Sequence, residues 1–184
     1  MNAPSSALLI RTCQTADIPE VAAIYAHAVQ TGTGTFELEA PTQAEMQRRH
    51  TDVLDKGLPW LVAQMNGQVV GYAYANAFRP RPAYRYFLED SIYLAPGAQG
   101  HGTGRLLLSE LVARCTALGA RQLLAVIGDS ANAASIGVHR SCGFEHTGLL
   151  RHAGWKFGRW LDVVLMQRAL GPGASLEPAG GGTR

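Results

Sequence analysis

A glycine-rich segment that runs directly into an apolar helix pattern is the feature that most constrains this chain. The segment "APGAQGHGTGRLLLSELVARC" (95–115) places four glycines within eight residues. Leucines and Cys115 then recur at helical spacing, which predicts a helix with one buried face. The preceding residues, "FLEDSIYL" (87–94), have the pattern of a strand. The sequence therefore predicts a tight strand-to-helix connection, as found in α/β proteins.

Such a connection can bind an anion. The first turn of a helix carries amides without intrahelical partners, and glycines let these amides approach a phosphate closely. A plain tight turn is the alternative. Two common nucleotide motifs do not fit: GxxxxGK[ST] is absent, and Gly100-x-Gly102-x-Gly104 is not GxGxxG. The motif present is Gln99-x-x-Gly102-x-Gly104.

Apolar patterns predict seven strands. Asn66-Gly67, a strong signal for a two-residue hairpin turn, divides one long apolar stretch into two strands. The predicted strands are 7–14, two within 60–78, 87–94, 121–129, 144–151 and 157–168.

Helix starts are also visible in the sequence. Asp17 with Glu20, and Thr42 with Glu45, have the spacing of capping boxes. The long helix follows the glycine segment, and "SANAASIGVHRSCGF" predicts a short helix closed by Gly143. The resulting order is β-α-α-β-β-β-α-β-α-β-β. Hairpins beside strand–helix–strand crossovers predict a mixed sheet with helices on its faces.

Length and composition narrow the class of protein. The 184 residues suit one domain, predicted over 1–170, and the tail 171–184 is predicted to be flexible. The net charge of +2, without runs of like charge, does not suggest a nucleic-acid surface. Three widely spaced cysteines favour neither a disulfide framework nor a metal site. No signal peptide or membrane-spanning run is apparent, so we expect a cytoplasmic protein.

The glycine motif and its surroundings resemble the GCN5-related N-acetyltransferase (GNAT) superfamily. In that superfamily a Q/R-x-x-G-x-G/A loop holds the pyrophosphate of acetyl-CoA. The segments "IYAHAVQTGTGTFELEAPT", "FRPRPAYRYFLEDSIYL", "NAASIGVHRSCGF" and "KFGRWLDVVLMQRAL" are similar to its phosphinothricin and methionine sulfoximine acetyltransferase branch. The resemblance covers about 8–170. His101, in place of a usual Lys or Arg, and Cys142, in place of a usual Leu, depart from the pattern.

The resemblance implies a fold and a cosubstrate. The fold is α/β, with a mixed, mostly antiparallel twisted sheet of about seven strands and helices on both faces. The cosubstrate is acetyl-CoA, with the thioester carbonyl polarised by the backbone amides of 92–94. Two of the implied contacts, Asn132 and Ser135, have helix capping as an alternative role. The implied cofactor-binding residues are Ile92, Tyr93, Leu94, Gln99, Gly100, His101, Gly102, Thr103, Gly104, Arg105, Asn132 and Ser135.

Two titratable residues are candidates for catalysis. Glu89 is the candidate base, because a carboxylate among apolar neighbours has a raised pKa suited to accepting a proton, directly or through water. A surface carboxylate is the alternative. Asp90 is the competing candidate. Adjacent residues of a strand face opposite sides, so only one of the two can face the site, and the resemblance selects Glu89. His139 is the candidate acid for the departing thiolate; a helix histidine held by the backbone is the alternative.

The amine substrate is predicted to be a small amino acid analogue of the phosphinothricin or methionine sulfoximine type. Arg79 and Arg81, in a proline-stiffened loop, suit its carboxylate or tetrahedral oxygens, although basic surface loops are common. Phe36 and Glu37 are predicted to form the other side of the substrate site. A peptide N-terminal acetyltransferase and a non-catalytic acyl-CoA sensor remain alternatives.

The C-terminal strands predict self-association. "GWKFGRWLDVVLMQRAL" carries more large apolar residues than one face of an edge hairpin can bury in a monomer of this size. Strand alternation predicts Trp155 and Phe157 on one face and Trp160 on the other. A homodimer is therefore expected, since two-fold dimers are the commonest assemblies. The alternative is a monomer in which the helix 102–118 covers this face.

Overall fold

The computed structural model describes residues 8–178. Its elements follow the predicted order of strands and helices. The strands are β1 (Leu9–Thr12), β2 (Trp60–Met65), β3 (Gln68–Ala77), β4 (Phe87–Leu94), β5 (Gln122–Gly128), β6 (Glu145–Lys156) and β7 (Arg159–Ala169). The helices are α1 (Ile18–Thr31), α2 (Gln43–Asp55), α3 (Thr103–Ala117) and α4 (Ala133–Ser141). None of these helices has the length and apolar character needed to cross a bilayer.

The seven strands form one mixed sheet, which confirms the predicted fold class. Their order is β1-β2-β3-β4-β5-β7-β6. Only β4 and β5 are parallel neighbours, and α3 makes the crossover between them. The other pairs are antiparallel, as expected for strands joined by hairpins.

The helices cover both faces of the sheet, and each face has its own core. On one face, α1 and α2 pack on β2 and β3 around Trp60 and Tyr72. On the other face, α3 buries Leu107, Leu108 and Leu111 completely against the central strands. The predicted apolar face of the glycine-rich segment's helix is therefore the face that holds α3 to the sheet.

Two tight hairpins depend on residues that adopt positive φ. Asn66 and Gly67 have φ of 52° and 82°, so the predicted turn between β2 and β3 is confirmed. Phe157 and Gly158, with φ of 51° and 71°, make the turn between β6 and β7. This second hairpin is longer than predicted, because its strands continue to within two residues of each other.

Neither predicted capping box forms completely. The Thr42 side chain accepts a hydrogen bond from the Glu45 amide and caps α2, but the Glu45 carboxylate pairs with Arg48 and Arg49. Asp17 makes no side-chain cap for α1, because its carboxylate pairs with Arg11 at 2.7 Å and accepts the Gln14 amide. Glu20 instead accepts the amide of residue 69 in β3. Other partners thus take both carboxylates of the proposed box.

The prediction for the aromatic residues of β6 and β7 is also wrong in one respect. Trp155 and Trp160 stand directly opposite each other across the hairpin, with ring centroids 5.3 Å apart. Opposite residues of an antiparallel pair share a face, so the two rings lie on the same side and not on opposite sides. Both are more than half exposed.

The start of the predicted flexible tail is anchored. Residues 171–176 form turns, and the Arg121 guanidinium donates hydrogen bonds to the carbonyls of Gly173 and Glu177. Leu170 is buried in the core of the α3 face. Ordered structure therefore continues past the predicted boundary at residue 170, and the remainder of the predicted tail, 179–184, lies outside the described residues.

We expect acid to destabilise the fold through His50. This residue of α2 is buried edge-on against Trp60, and burial lowers its pKa below 6.5, opposed only in part by the Cys13 backbone and the Asp17 carboxylate. The imidazole of His50 binds a proton more readily in the unfolded chain than in the folded chain. The free energy of unfolding therefore falls as pH drops below about 6.5. The loss is about 1.4 kcal/mol per pH unit down to the folded pKa.

Urea unfolding at pH 7 and pH 5 measures this effect. His50→Phe keeps an aromatic ring beside Trp60 and removes the titration, so its loss of stability between the two pH values is expected to be smaller than that of the wild type. His27→Phe, at an exposed position of α1, is the control. Equal pH slopes in the wild type and His50→Phe would contradict the prediction.

Candidate active site

A cleft opens where β4 and β5 part. Their parallel ladder runs from the pair Phe87–Gln122 to the pair Asp90–Ala125. Both strands continue beyond it, β4 to Leu94 and β5 to residue 128. These two strand ends do not pair with each other. A cavity of about 410 Å³ lies between them and the starts of α3 and α4. The central sheet thus holds a cleft with unpaired backbone along its edge.

The β4 edge of the cleft offers backbone donors. The Ala95 amide donates to the Val70 carbonyl of β3. Since backbone groups of alternate residues point to the same side of a strand, the amide of Tyr93 also points to β3, and those of Ile92 and Leu94 point toward β5. The β5 ladder ends before these two residues, so their amides face the cleft. Three backbone donors were predicted, and the amide of Tyr93 is not available because it points to β3 within the sheet. Tyr93 itself still lines the cavity.

The glycine segment forms the second side of the cleft. Gly100 and Gly102 have φ of 79° and 81°, and Gly102 is the residue that precedes α3. The first bond within α3 runs from the Leu106 amide to the Gly102 carbonyl, so the amides of 103–105 have no partner within the helix. No atom lies within 4 Å of the place where a Cβ on Gly102 would stand. An anion such as a phosphate fits this open, donor-rich place.

The predicted residues of this loop divide into two groups. His101 is exposed and Thr103 is buried, and neither lines the cavity. The others do line it: Gln99, Gly100, Gly102, Gly104 and Arg105.

The start of α4 forms the third side. The Asn132 side chain accepts the Ser135 amide at 3.2 Å and caps the helix. Its amide nitrogen also donates to the Gly128 carbonyl at the end of β5. Both Asn132 and Ser135 line the cavity. The capping role and the cleft-lining role, given as alternatives in the sequence, are therefore compatible.

His139 reaches the cleft from α4 and pairs with Asp90. Its Nε2 lies 3.0 Å from Asp90 Oδ2, and its Nδ1 lies 2.8 Å from the Ser135 carbonyl oxygen. Burial lowers the pKa of His139, but the hydrogen bond and the charge of Asp90 outweigh burial, so the pKa is raised overall. His139 thus makes the backbone contact expected for a helix histidine, and it also lines the cavity, as the candidate acid requires.

Glu89 lies on the opposite face of β4 from Asp90. It shares this face with Ser91 and Tyr93, which line the cavity, but Glu89 itself does not. Burial and the neighbouring Asp90 raise the pKa of Glu89, and Arg79 lowers it in part. A half-buried carboxyl with a raised pKa therefore stands beside the cleft, on the α1–α2 side of the sheet.

The predicted substrate residues approach the same side. The Phe36 ring packs so closely on Gly154 of β6 that a Cβ there would come within 2.4 Å of it. Glu37 forms an ion pair with Arg49 at 2.6 Å and accepts the Tyr25 hydroxyl, so its carboxylate is engaged within the protein. None of the predicted substrate residues lines the cavity itself.

The arginine loop is exposed. Arg79 lies over the Phe78 ring, and its charge acts on Glu89. Within the part of the chain that the structure describes, no carboxylate lies within ion-pair distance of Arg79 or Arg81. Both guanidinium groups can therefore bind an external anion.

Sequence reasoning missed one buried cation. Lys156, at the end of β6, is only 3% exposed and donates to the Thr35 carbonyl at 2.9 Å. This bond fixes the loop 32–37, whose Gly32 and Gly34 line the cavity. Lys156 lies in an aromatic stretch of sequence, and nothing local indicates its partner 121 residues away.

The described residues include no group of three or more His, Cys, Asp and Glu side chains arranged to hold a metal ion. The donors around the cleft include backbone amides and the side chains of Gln99, Arg105 and Asn132. This set suits a phosphate-bearing organic molecule.

Together the fold and the cleft define an α/β protein whose cleft can receive a phosphate-bearing molecule at a helix N-terminus. The model of the acetyltransferase (GNAT) family matches residues 22–144. The chain belongs to this family, and it is an acetyl-CoA-dependent N-acetyltransferase.

Curated relatives cover nearly the whole chain. Phosphinothricin N-acetyltransferase of Alcaligenes faecalis is 52% identical over 94% of this chain and 87% of its own. The L-methionine sulfoximine/L-methionine sulfone acetyltransferase of Pseudomonas aeruginosa is 40% identical over 89% of this chain and 95% of its own.

Solved structures share the fold closely. The phosphinothricin acetyltransferase of Sinorhizobium meliloti, in complex with AcCoA, is 49% identical and superimposes with a TM-score of 0.90, covering 93% of this chain and 92% of its own. The ribosomal-protein-alanine N-acetyltransferase of Brucella melitensis is 41% identical, with a TM-score of 0.85, over 88% of this chain and 99% of its own.

Proposed function

We propose that this enzyme transfers the acetyl group of acetyl-CoA to the amino group of a small amino acid analogue, of the phosphinothricin, methionine sulfoximine or methionine sulfone type. The observation that carries the proposal is the cleft between β4 and β5, where unpaired strand amides lie beside a glycine-lined helix N-terminus. The names of the relatives support the class of amine.

The transfer occurs directly, in a complex with both substrates. Glu89 accepts the proton of the substrate ammonium, directly or through a water, since burial raises its pKa and makes it a better proton acceptor. The free amine then attacks the thioester carbonyl, and the Ile92 and Leu94 amides stabilise the charge on its oxygen. The carbon–sulfur bond breaks, and the thiolate takes a proton, for which His139 is the candidate donor. Overall, an ammonium and a thioester give an amide, a thiol and one proton.

The amine occupies the α1–α2 side of the sheet. The free guanidinium groups of Arg79 and Arg81 bind its carboxylate or its tetrahedral oxygens. Phe36 supplies an apolar surface, and Glu37 acts indirectly by holding Arg49 and Tyr25 around the loop. Because Lys156 and Gly154 clamp this loop against β6, the site favours a compact amine over a long peptide.

A panel of amines tests the proposal. Release of free CoA is measured with phosphinothricin, methionine sulfoximine, methionine sulfone, ordinary amino acids and peptides that begin with alanine. We expect kcat/KM to be highest for the first three. A preference for peptides would favour the second candidate, a protein N-terminal acetyltransferase, which the likeness to the Brucella enzyme supports. Tight acetyl-CoA binding without any transfer would indicate an acyl-CoA sensor.

The enzyme is expected to work in the cytoplasm. Its three cysteines are buried free thiols, which is usual for proteins of reducing compartments, and acetyl-CoA is an intracellular cosubstrate.

A homodimer is expected, with the aromatic end of the β6–β7 hairpin at the interface. Trp155, Phe157 and Trp160 are each 55–58% exposed and adjacent. Large exposed apolar patches on soluble proteins commonly mark interfaces. Light scattering at micromolar concentration should therefore give twice the chain mass of 19.7 kDa.

A pair of variants locates the interface. Trp155→Ser combined with Trp160→Ser is expected to give the monomer mass, whereas Leu118→Ser, at an equally exposed apolar residue at the end of α3, should leave the dimer intact. A wild-type mass near 19.7 kDa would contradict the dimer.

A further inference from the structure

The hydrogen bonds of His139 specify where its protons lie. Its Nδ1 faces the Ser135 carbonyl oxygen at 2.8 Å, and a carbonyl can only accept, so Nδ1 carries a proton. Its Nε2 faces Asp90 Oδ2 at 3.0 Å, and an ionised carboxylate can also only accept. An imidazolium, which donates from both ring nitrogens, satisfies both of these acceptors when Asp90 is ionised.

Burial makes the two residues depend on each other. The side chains of His139 and Asp90 are 3% and 1% exposed, and Asp90 Oδ1 has no hydrogen-bond partner within residues 8–178. A buried carboxylate with a single cationic partner is costly to separate from it. A neutral ring with its lone pair on Nε2 would repel the same carboxylate, so the pair resists losing its shared proton.

The surroundings of the pair contribute little competing charge. From α3, the Cys115 thiol senses the charge of Asp90, but burial raises its pKa to about 12 and keeps it neutral. Phe144, the residue before β6, packs edge-on against the ring of His139, with the ring centroids 5.1 Å apart. Glu89, on the opposite face of β4, interacts electrostatically with Asp90. Burial lowers the pKa of His139, and Asp90 is the charged group that raises it.

The pair stands where the two strands part. Asp90 is the last β4 residue paired with β5, and both Asp90 and His139 line the cavity. The Asp90–His139 pair therefore lies next to the β4 amides of Ile92 and Leu94, the donors assigned to the thioester oxygen.

We infer that Asp90 is a positioning residue for His139: it fixes the ring between two opposed acceptors and keeps it doubly protonated where β4 and β5 part. The catalytic part of this inference rests on the proposed acetyl transfer. A group that gives a proton to a thiolate must enter the reaction protonated. Asp90 extends the pH range in which His139 does so, because it raises the pH at which the ring deprotonates. After transfer, the ring recovers its proton from solvent, so the reaction balances.

Nitrogen NMR of the histidine rings tests the protonation directly and needs no substrate. In the wild-type protein, both nitrogens of His139 are expected to be protonated at pH 7.5. In Asp90→Asn, the amide of the new side chain can donate to a neutral Nε2, so only Nδ1 should be protonated at that pH and the titration should move to lower pH. A wild-type ring that titrates at or below pH 6.5, or an unchanged titration in the variant, would overturn the inference.

Kinetics test the consequence for transfer. The ratio of wild-type to Asp90→Asn kcat is expected to rise at least tenfold from pH 6 to pH 8.5, with KM for acetyl-CoA within a few-fold of wild type. A purely structural role would give the same ratio at every pH. Asp52→Asn, an equivalent change at an exposed site on α2, should leave the profile unchanged.

A double-mutant cycle separates action through His139 from independent action. If Asp90 works only through His139, Asp90→Asn should cause no further loss in a His139→Asn background. Additive losses would overturn the positioning role. If none of the amines is acetylated by the wild type, the proposed function fails, whereas the NMR measurement still decides the protonation of the pair.

Discussion

Glu89→Gln is expected to lower turnover of the preferred amine by about 10²–10⁴-fold near neutral pH, the usual range for loss of a general base. Gln has nearly the same shape but cannot accept the proton, so the affinity for acetyl-CoA should stay within a few-fold of wild type. The raised pKa of Glu89, caused by burial and by Asp90, is the property that this substitution removes.

Steady-state kinetics together with calorimetry of acetyl-CoA binding measure this effect. Glu39→Gln, at an exposed position of the loop before α2, is the matched control and should retain wild-type turnover. Wild-type turnover in Glu89→Gln would contradict the assignment and would leave Asp90 or bulk water as the proton acceptor.

Gly102→Val is expected to weaken acetyl-CoA binding at least about 100-fold while the domain stays folded. The substitution fills the open space before α3 with a branched side chain and forces it into a φ of 81°, which such residues resist. Loss of two amide bonds to a charged phosphate, at about 1.5–3 kcal/mol each, is enough for this change.

A second glycine separates local strain from the loss of the site. Gly57, which follows α2, has a φ of +70° and no atom within 4 Å of the place where a Cβ would stand, so Gly57→Val meets the same backbone strain away from the cleft. Calorimetry should show native acetyl-CoA affinity for Gly57→Val. Native affinity in Gly102→Val as well would refute the phosphate-binding role of the glycine segment.

The order of elements could be predicted because its signals are local. The alternation of apolar residues, the Asn66-Gly67 turn and the helical spacing after Gly104 each depend on a few neighbouring residues, and all are present in the structure. The glycine segment was predicted to be a tight strand-to-helix connection, and the structure has one there, with a positive φ at residues 100 and 102.

The candidate site was predictable only in part, because its contacts join distant residues. The pairing of Asp90 with His139 spans 49 residues and that of Lys156 with Thr35 spans 121, and no local pattern encodes either contact. The capping box at Asp17 failed for another reason, since its carboxylate pairs with the nearby Arg11 and accepts the Gln14 amide. Alternation along β4 did predict that Glu89 and Asp90 face opposite sides, but not that both faces border the cleft.

Transfer of an isotopically labelled acetyl group tests the central claim most directly. The enzyme is incubated with labelled acetyl-CoA alone and then with phosphinothricin or methionine sulfone, and both protein and small molecules are followed by mass spectrometry. Direct transfer predicts no label on the protein and one N-acetylated amine for each free CoA, in keeping with cysteines such as Cys13 and Cys115, whose burial raises the pKa of each to about 12. A labelled acetyl-cysteine, or CoA release without an acetylated amine, would contradict the account.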